Sequence, residues 1–228
     1  MKQKITLQNL LFAAALSLGF VLNSALADDS QPGKSTIPAG QPADQLAPAA
    51  GNLGLLGQTL GTLTYSRINL DDTTVNLDSY ALEINQPLAF GFDGVFGYDY
   101  SRSGAFAGSR QTQHTLTAAL RAFSNNFNWG KPYVEAGLGQ VWEKFAGASD
   151  KSLLWEAAAG VEFQVLPRLA VTPYGRYEDT PDLAGSEGRW SVGVKGSFWL
   201  DRSWAVTAGF EHDDEQNNAF TVGTNFRF

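Results

Sequence analysis

The chain has no cysteine. A disulfide scaffold and a thiolate metal site are therefore both excluded, even in an oxidising compartment that would permit the first. Its one methionine is the initiator and it has only two histidines, so soft-metal and redox chemistry have few residues to work with and no cofactor is expected. Also missing is any stretch approaching the roughly 20 apolar residues that a spanning helix needs. The apolar run at 10–22 follows Lys2 and Lys4 and precedes Ala25-Leu26-Ala27, a small-x-small cleavage pattern. Residues 1–27 read as a secretory signal peptide with cleavage after Ala27. If the mature chain crosses a membrane, it does so by strands.

Positive charge is scarce as well. Losing Lys2 and Lys4 with the signal leaves 14 of the 16 basic side chains against 23 acidic ones, a formal charge of −9. Nucleic acid is excluded as a partner, since its binding depends on neutralising phosphates. Residues 28–56 begin with a Pro-, Ala- and Gln-rich stretch without periodicity (DDSQPGKSTIPAGQPADQLAPAAG). Such a composition cannot bury enough apolar surface to offset the entropy of ordering, and it reads as a flexible periplasmic segment.

What the chain does have, from residue 57 to 228, is alternation. Ten strand-like segments can be marked: 58–68, 75–86, 90–101, 111–123, 132–145, 153–165, 169–179, 189–200, 204–212 and 219–228. The connections after the second, sixth and eighth are tight: Pro87-Leu88-Ala89, Leu166-Pro167-Arg168 and Asp201-Arg202-Ser203. The one after the fourth, 124–131, is longer. The alternate connections, 69–74, 102–110, 146–152, 180–188 and 213–218, are mostly longer and more polar. Short turns at one end and longer loops at the other describe an antiparallel transmembrane barrel with both termini on the periplasmic side.

The two faces of each segment differ in kind. Trp204, Val206, Ala208 and Phe210 alternate with Ala205, Thr207, Gly209 and Glu211; Trp190, Val192, Val194 and Phe198 alternate with Arg189, Ser191, Lys195 and Ser197. Only in the first segment is the parity ambiguous, Leu63 and Tyr65 suggesting one face and Leu60 and Ile68 the other. Rings gather near strand ends. Phe90, Phe92, Phe123, Tyr133, Phe163, Phe198, Trp204, Phe226 and Phe228 fall at one boundary, and Tyr98, Tyr100, Trp142, Trp155, Tyr177, Trp190, Phe210 and Phe220 at the other. Two aromatic bands suit the two membrane–water boundaries. By the same parity the interior holds Glu83, Asp93, Asp99, Arg121, Glu135, Glu143, Glu156, Glu162, Arg176, Glu178, Arg189, Lys195, Glu211 and Arg227. Since a buried charge without a partner is very costly, a mixed set of this kind predicts a lumen packed by a charge network.

The last segment, AFTVGTNFRF, places Phe220, Val222, Thr224, Phe226 and Phe228 on one face and ends on the aromatic Phe228. With the signal peptide and the alternating strands, it resembles small bacterial outer-membrane β-barrel proteins, the superfamily of the outer-membrane protein A membrane domain and the opacity-type porins. Many members have eight strands, against the ten counted here. The resemblance implies a cell outer-membrane location and contact with its lipid. It also implies recognition of Phe220, Phe226 and Phe228 by the barrel-assembly machinery.

Glu211-His212-Asp213-Asp214 is the nearest candidate for enzymatic chemistry, because ten strands is also the count of omptin-like proteases with rim carboxylates and His–Asp pairs. Neighbouring strand residues point to opposite faces, so His212 is turned away from Glu211 and no base–nucleophile pair is assembled. His114 faces outward with Leu116 and Ala118, an interfacial position. Neither Asp71-Asp72 nor Asp213-Asp214-Glu215 matches an ordered cation-binding loop. The sequence therefore predicts a non-enzymatic structural or interaction protein of the envelope. The alternative reading is a narrow passive pore passing small ions, with a preference for cations from its acidic mouth.

Overall fold

The computed structural model describes residues 54–70, 76–89, 91–105, 109–181 and 188–228. The signal peptide, residues 28–53 of the linker, Asp71-Asp72 and Phe90 lie outside the described residues. Ten strands follow in order: β1 (Leu60–Asn69), β2 (Asn76–Ala89), β3 (Phe92–Ser103), β4 (Thr112–Phe123), β5 (Lys131–Phe145), β6 (Ala148–Leu166), β7 (Leu169–Asp179), β8 (Arg189–Trp199), β9 (Trp204–Asp213) and β10 (Asn218–Arg227). Each pairs antiparallel with its neighbours, and β10 closes onto β1 in unbroken register from Leu60↔Arg227 to Asn69↔Asn218. Closure leaves no unpaired edge, which is the condition for strands in hydrocarbon. The count is ten.

Alternation fixes the faces as expected. The exterior is apolar and open: Leu138 is 60 % exposed and Val192 62 %. The interior is polar and closed: Asp93 is 0 % exposed and Glu162 4 %. A water-soluble protein would invert this pattern, because so much contiguous apolar surface favours burial, here in lipid. In β1 the ambiguity is resolved with Leu63 outward and Leu60 inward, Leu60 being buried at the barrel's lower end.

The upper boundary forms a row of rings on adjacent strands, with Tyr65, Tyr80, Tyr100, His114 and Trp142 in register opposite one another. The row continues through Trp155, Tyr177 and Trp190, whose successive ring centroids are 4.9 and 4.8 Å apart. The lower band includes Trp204 and Phe226 at 4.7 Å, with Phe228 edge-on to Phe226 at 5.1 Å.

Three expectations need correction. Phe123 and Tyr133 do not belong to the lower band. They share the inward parity of Arg121 and Glu135, and Phe123 is 5 % exposed. Ring type suggested a girdle, whereas strand parity decides. The band is completed instead by Trp129, which lies 5.3 Å from Phe127 and 6.0 Å from Phe163.

The connection expected at 146–152 is a two-residue turn. β5 and β6 stay paired up to Phe145↔Ala148, so the hairpin runs beyond the neighbouring strands. Ala146 (φ 49°) and Gly147 (φ 86°) both have positive φ, the backbone of a tight hairpin turn that matches strand twist.

The third correction concerns Gly54, Leu55 and Leu56, which fall in the segment read as flexible. They form a turn tucked beneath the lumen, with Leu56 4 % exposed. The segment's overall composition is dilute in apolar residues, but Leu55 packs against Leu60, Trp199 and Ala205 at the barrel floor and Leu56 lines the cavity beside them.

Candidate functional site

The interior is the candidate site, and it is built in two tiers. In the lower tier, antiparallel register sets Arg121 of β4 directly opposite both Asp93 of β3 and Glu135 of β5. The Arg121 Nε donates to Glu135 Oε2 at 2.6 Å, and Nη2 lies 3.8 Å from Glu83. Its Nη1 reaches Asn85 Oδ1 at 3.4 Å, and its guanidinium stacks 5.5 Å from the centre of the Tyr133 ring. With only 15 % of its side chain exposed, Arg121 is the hub on which three strands converge.

Below it, the turn before β1 supplies backbone donors to buried carboxylates. The Leu55 N–H donates to Glu162 Oε2 at 2.7 Å and the Gly57 N–H to Asp93 Oδ2 at 2.9 Å. Lys131, opposite Glu162 in register, lies 3.8 Å from its other oxygen. Arg227 sits 4.2 Å over the Trp199 ring and reaches the Gly54 carbonyl at 3.4 Å. Trp199 is fully buried, a plate of apolar surface across the floor.

The upper tier is an ionic ladder across β7, β8 and β9. Tyr174 donates to Glu211 Oε2 at 2.6 Å, and Arg176 donates to Glu211 Oε1 at 2.8 Å. Arg176 also lies 3.8 Å from Glu178, which is paired with Arg189 directly across the β7–β8 register. Arg189 in turn is 3.5 Å from Asp213. On the far wall Ser79 donates to Asp99. Alternating signs along the ladder give each charge a neighbour of opposite sign, which is what makes several charges tolerable inside one barrel.

Of the expected network, Glu83, Arg121 and Glu135 come together, as do Arg176 and Glu211. Asp93 and Glu162 are held by the floor turn, and Arg227 by Trp199 and Gly54. Lys195 lines a cavity of about 60 Å³ with Thr172, Tyr174 and Asn225, space for a few waters. Glu156 stands opposite Gly137 and Glu178 without joining an ion pair among the described residues, and Glu143 faces another carboxylate, Asp150.

Sequence reasoning passed over Tyr174, Lys131 and Trp199 and placed Tyr133 in the aromatic band. Parity was a sufficient signal, since Tyr133, Tyr174 and Trp199 are each two residues, and Lys131 four, from a residue read as inward. Space for the two tyrosine rings comes from glycines on facing strands. A Cβ on Gly160 would lie 2.8 Å from the Tyr133 ring, and one on Gly193 would lie 2.6 Å from that of Tyr174.

The catalytic candidates separate. Both Glu211 oxygens are engaged inside the barrel, while His212 is on the exterior with Nδ1 3.0 Å from Asn218 Oδ1. Asp213 accepts from the Asn217 N–H at 2.8 Å, the Asn217 Nδ2 at 2.9 Å and the Glu215 N–H at 3.1 Å, so the turn itself occupies its oxygens. His114 faces outward against the Tyr98 hydroxyl at 2.8 Å. Phe220, Phe226 and Phe228 all lie on the outer face. Phe220 packs 5.1 Å from Phe210.

These features define a class: a transmembrane β-barrel of the outer-membrane type, apolar outside and filled by charge pairs within. No family model and no curated protein matches the chain. Among solved structures, the translocator domain of the autotransporter NalP from Neisseria meningitidis is 11 % identical with a TM-score of 0.43, over 77 % of this chain and 91 % of that one. Neisserial surface protein A is 11 % identical with a TM-score of 0.45, over 75 % and 96 %. Ail, the attachment invasion locus protein of Yersinia pestis, is 14 % identical with a TM-score of 0.36, over 75 % and 97 %. The assignment of this chain rests on its own closed register and apolar exterior.

Proposed function

We propose that the protein is a non-enzymatic barrel of the bacterial outer membrane, closed to ions, whose role in the envelope is structural or interactive. The observation that supports this reading is the filled interior. Arg121 and its carboxylates occupy the lower lumen, the Gly54–Gly57 turn and Trp199 lie across the floor, and the cavity between them holds a few waters. A conducting path would need a continuous file of water, and each of these groups stands in its way. Glu211 and His212, the nearest catalytic candidates, are turned to opposite faces of the wall.

Potassium efflux from proteoliposomes tests it. The wild-type protein is expected to hold the gradient as protein-free vesicles do. Efflux that rises with protein content, and changes its cation preference in Glu143→Gln and Glu156→Gln, would establish the narrow-pore alternative.

Insertion is read in the same terms. Phe228 ends the closing strand and, with Phe220 and Phe226, offers the assembly machinery an aromatic edge. Deleting Phe228 should impair insertion while export continues; normal heat-modifiable, membrane-embedded protein from that variant would refute the assignment.

A further inference from the structure

Every strand position that faces lipid in the middle of the barrel is uncharged, yet cations reappear at the loop end, at Arg67 of β1 beside Asp78 and, with no outward acid on their own strands, on β3 to β6. On β3 to β6 the upper ring row runs Tyr100, His114, Trp142 in register, and Lys151 of β6 stands directly opposite Trp142. One outward step higher, about 7 Å along the strand, the row reads Arg102, Thr112, Lys144 and Ser149, again in register. Arg102, Lys144 and Lys151 are all exposed. None of the three forms an ion pair among the described residues.

The acids of this sector point the other way. On the β5–β6 hairpin, Lys144 and Lys151 face out while their neighbours Glu143 and Asp150 share the inward parity, so the hairpin is basic on the lipid side and acidic on the lumen side. No carboxylate faces outward on β3, β4, β5 or β6. The β3–β4 connection, GAFAGSRQ at 104–111, adds Arg110 and no acid. At the flank, Asp78 of β2 shares the outward face, in register between Arg102 and the exposed Arg67 of β1, and its carboxylate also accepts from the Tyr65 hydroxyl at 2.7 Å. A mature chain of formal charge −9 thus carries an outward cationic strip just beyond its aromatic band.

We infer that this strip binds the phosphate groups of an anionic lipid in the leaflet that surrounds the loop end of the barrel. The rings mark the edge of the hydrocarbon, so the ammonium and guanidinium groups stand at headgroup level. Strands lie about 4.8 Å apart, so Arg102 and Lys144, two strands apart, can flank one phosphate with their long side chains. Lys151, at ring level beside Trp142, is placed for a second phosphate or for the same headgroup from below. The inference rests on the outer-membrane location proposed above, with the loop end facing outward, and is independent of whether the lumen conducts.

The test uses the full mature protein in a neutral detergent, with bisphosphorylated lipid A as the probe and native mass spectrometry to count bound lipid. Wild type should retain the lipid. Each of Arg102→Gln, Lys144→Gln and Lys151→Gln should weaken binding about fivefold, and the triple variant by on the order of a hundredfold. Neutralising Arg168 and Arg202 at the opposite end should leave binding unchanged. Lipid A stripped of its phosphates should bind as weakly as the triple variant does, and inorganic phosphate at equal concentration should not compete.

Equal binding by wild type and the triple variant, equal binding of the dephosphorylated lipid, or equal loss in the Arg168 and Arg202 variants would each overturn the inference. Competition by inorganic phosphate would overturn the lipid assignment. If the triple variant does not assemble, the three single variants carry the same readout. Failure of wild type itself to enter membranes would instead refute the barrel's proposed location.

Discussion

The two ends of this barrel are held together by different physics. The floor is made of chain and apolar bulk: the turn at Gly54–Gly57, Leu55, Leu56, Leu60, Phe123 and Trp199, with Arg121 and its carboxylates just above. The mouth side is held by ions alone, a ladder from Tyr174 through Glu211, Arg176, Glu178 and Arg189 to Asp213. Their exposure differs to match, with Arg121 at 15 % and the ladder's two arginines at 34 %. The lesson is that water access sets the value of the same guanidinium–carboxylate contact. A dry pair is indispensable once formed because its remnant cannot be rehydrated, whereas a wet pair is replaceable.

Unequal deletions expose that difference first. Arg121→Ala should cost about 3–5 kcal/mol in denaturant unfolding from lipid or detergent, because Glu135, only 13 % exposed, is left without its cation. Arg176→Ala should cost about 1 kcal/mol, since Glu178 keeps Arg189 and Glu211 keeps the Tyr174 hydroxyl as partners. Equal losses would show that the two tiers are equally dry.

A smaller effect, of opposite sign, is expected above the mouth. Ala146 pays for its positive φ in a turn that suits Asn-Gly, so Ala146→Asn should stabilise the barrel by about 0.5–1 kcal/mol in the same assay. A destabilised variant would mean that Ala146 makes a contact outside the turn.

The smallest effect belongs to an exposed turn on the floor side. The Ser203 N–H (2.7 Å) and Trp204 N–H (2.8 Å) hold the Asp201 carboxyl below its ordinary value. A depressed folded-state value means that the stabilisation is complete above the unfolded carboxyl's range, near pH 4, and disappears as pH falls through the lower folded value. Unfolding midpoints of wild type and Asp201→Asn should therefore converge only in acid. A constant gap across that range would contradict it.

Much of this was legible in the chain beforehand, and the residues show why. Period-two alternation is a local property, so ten strands, the inward charges and the outward rings could be read from neighbouring residues. Strand boundaries moved by a few residues at most, apart from β6, which starts at Ala148 because Ala146-Gly147 turns more tightly than its polar surroundings suggest. Pairings were not legible, because they depend on register between strands far apart in sequence. The Arg121–Glu135 contact follows from the β4–β5 register, and the Arg176–Glu211 contact spans two strand boundaries. The floor was missed for a different reason. Leu55-Leu56 is two residues long, too short for any periodicity, and acquires meaning only when closure brings Leu60 and Trp199 over it.

Single-channel recording in planar bilayers tests the central claim most directly. The wild-type protein, inserted and heat-modifiable, is predicted to give a flat current trace at applied voltages that leave the bare bilayer intact. Stable, reproducible conductance steps from that same protein would contradict the proposed closed lumen.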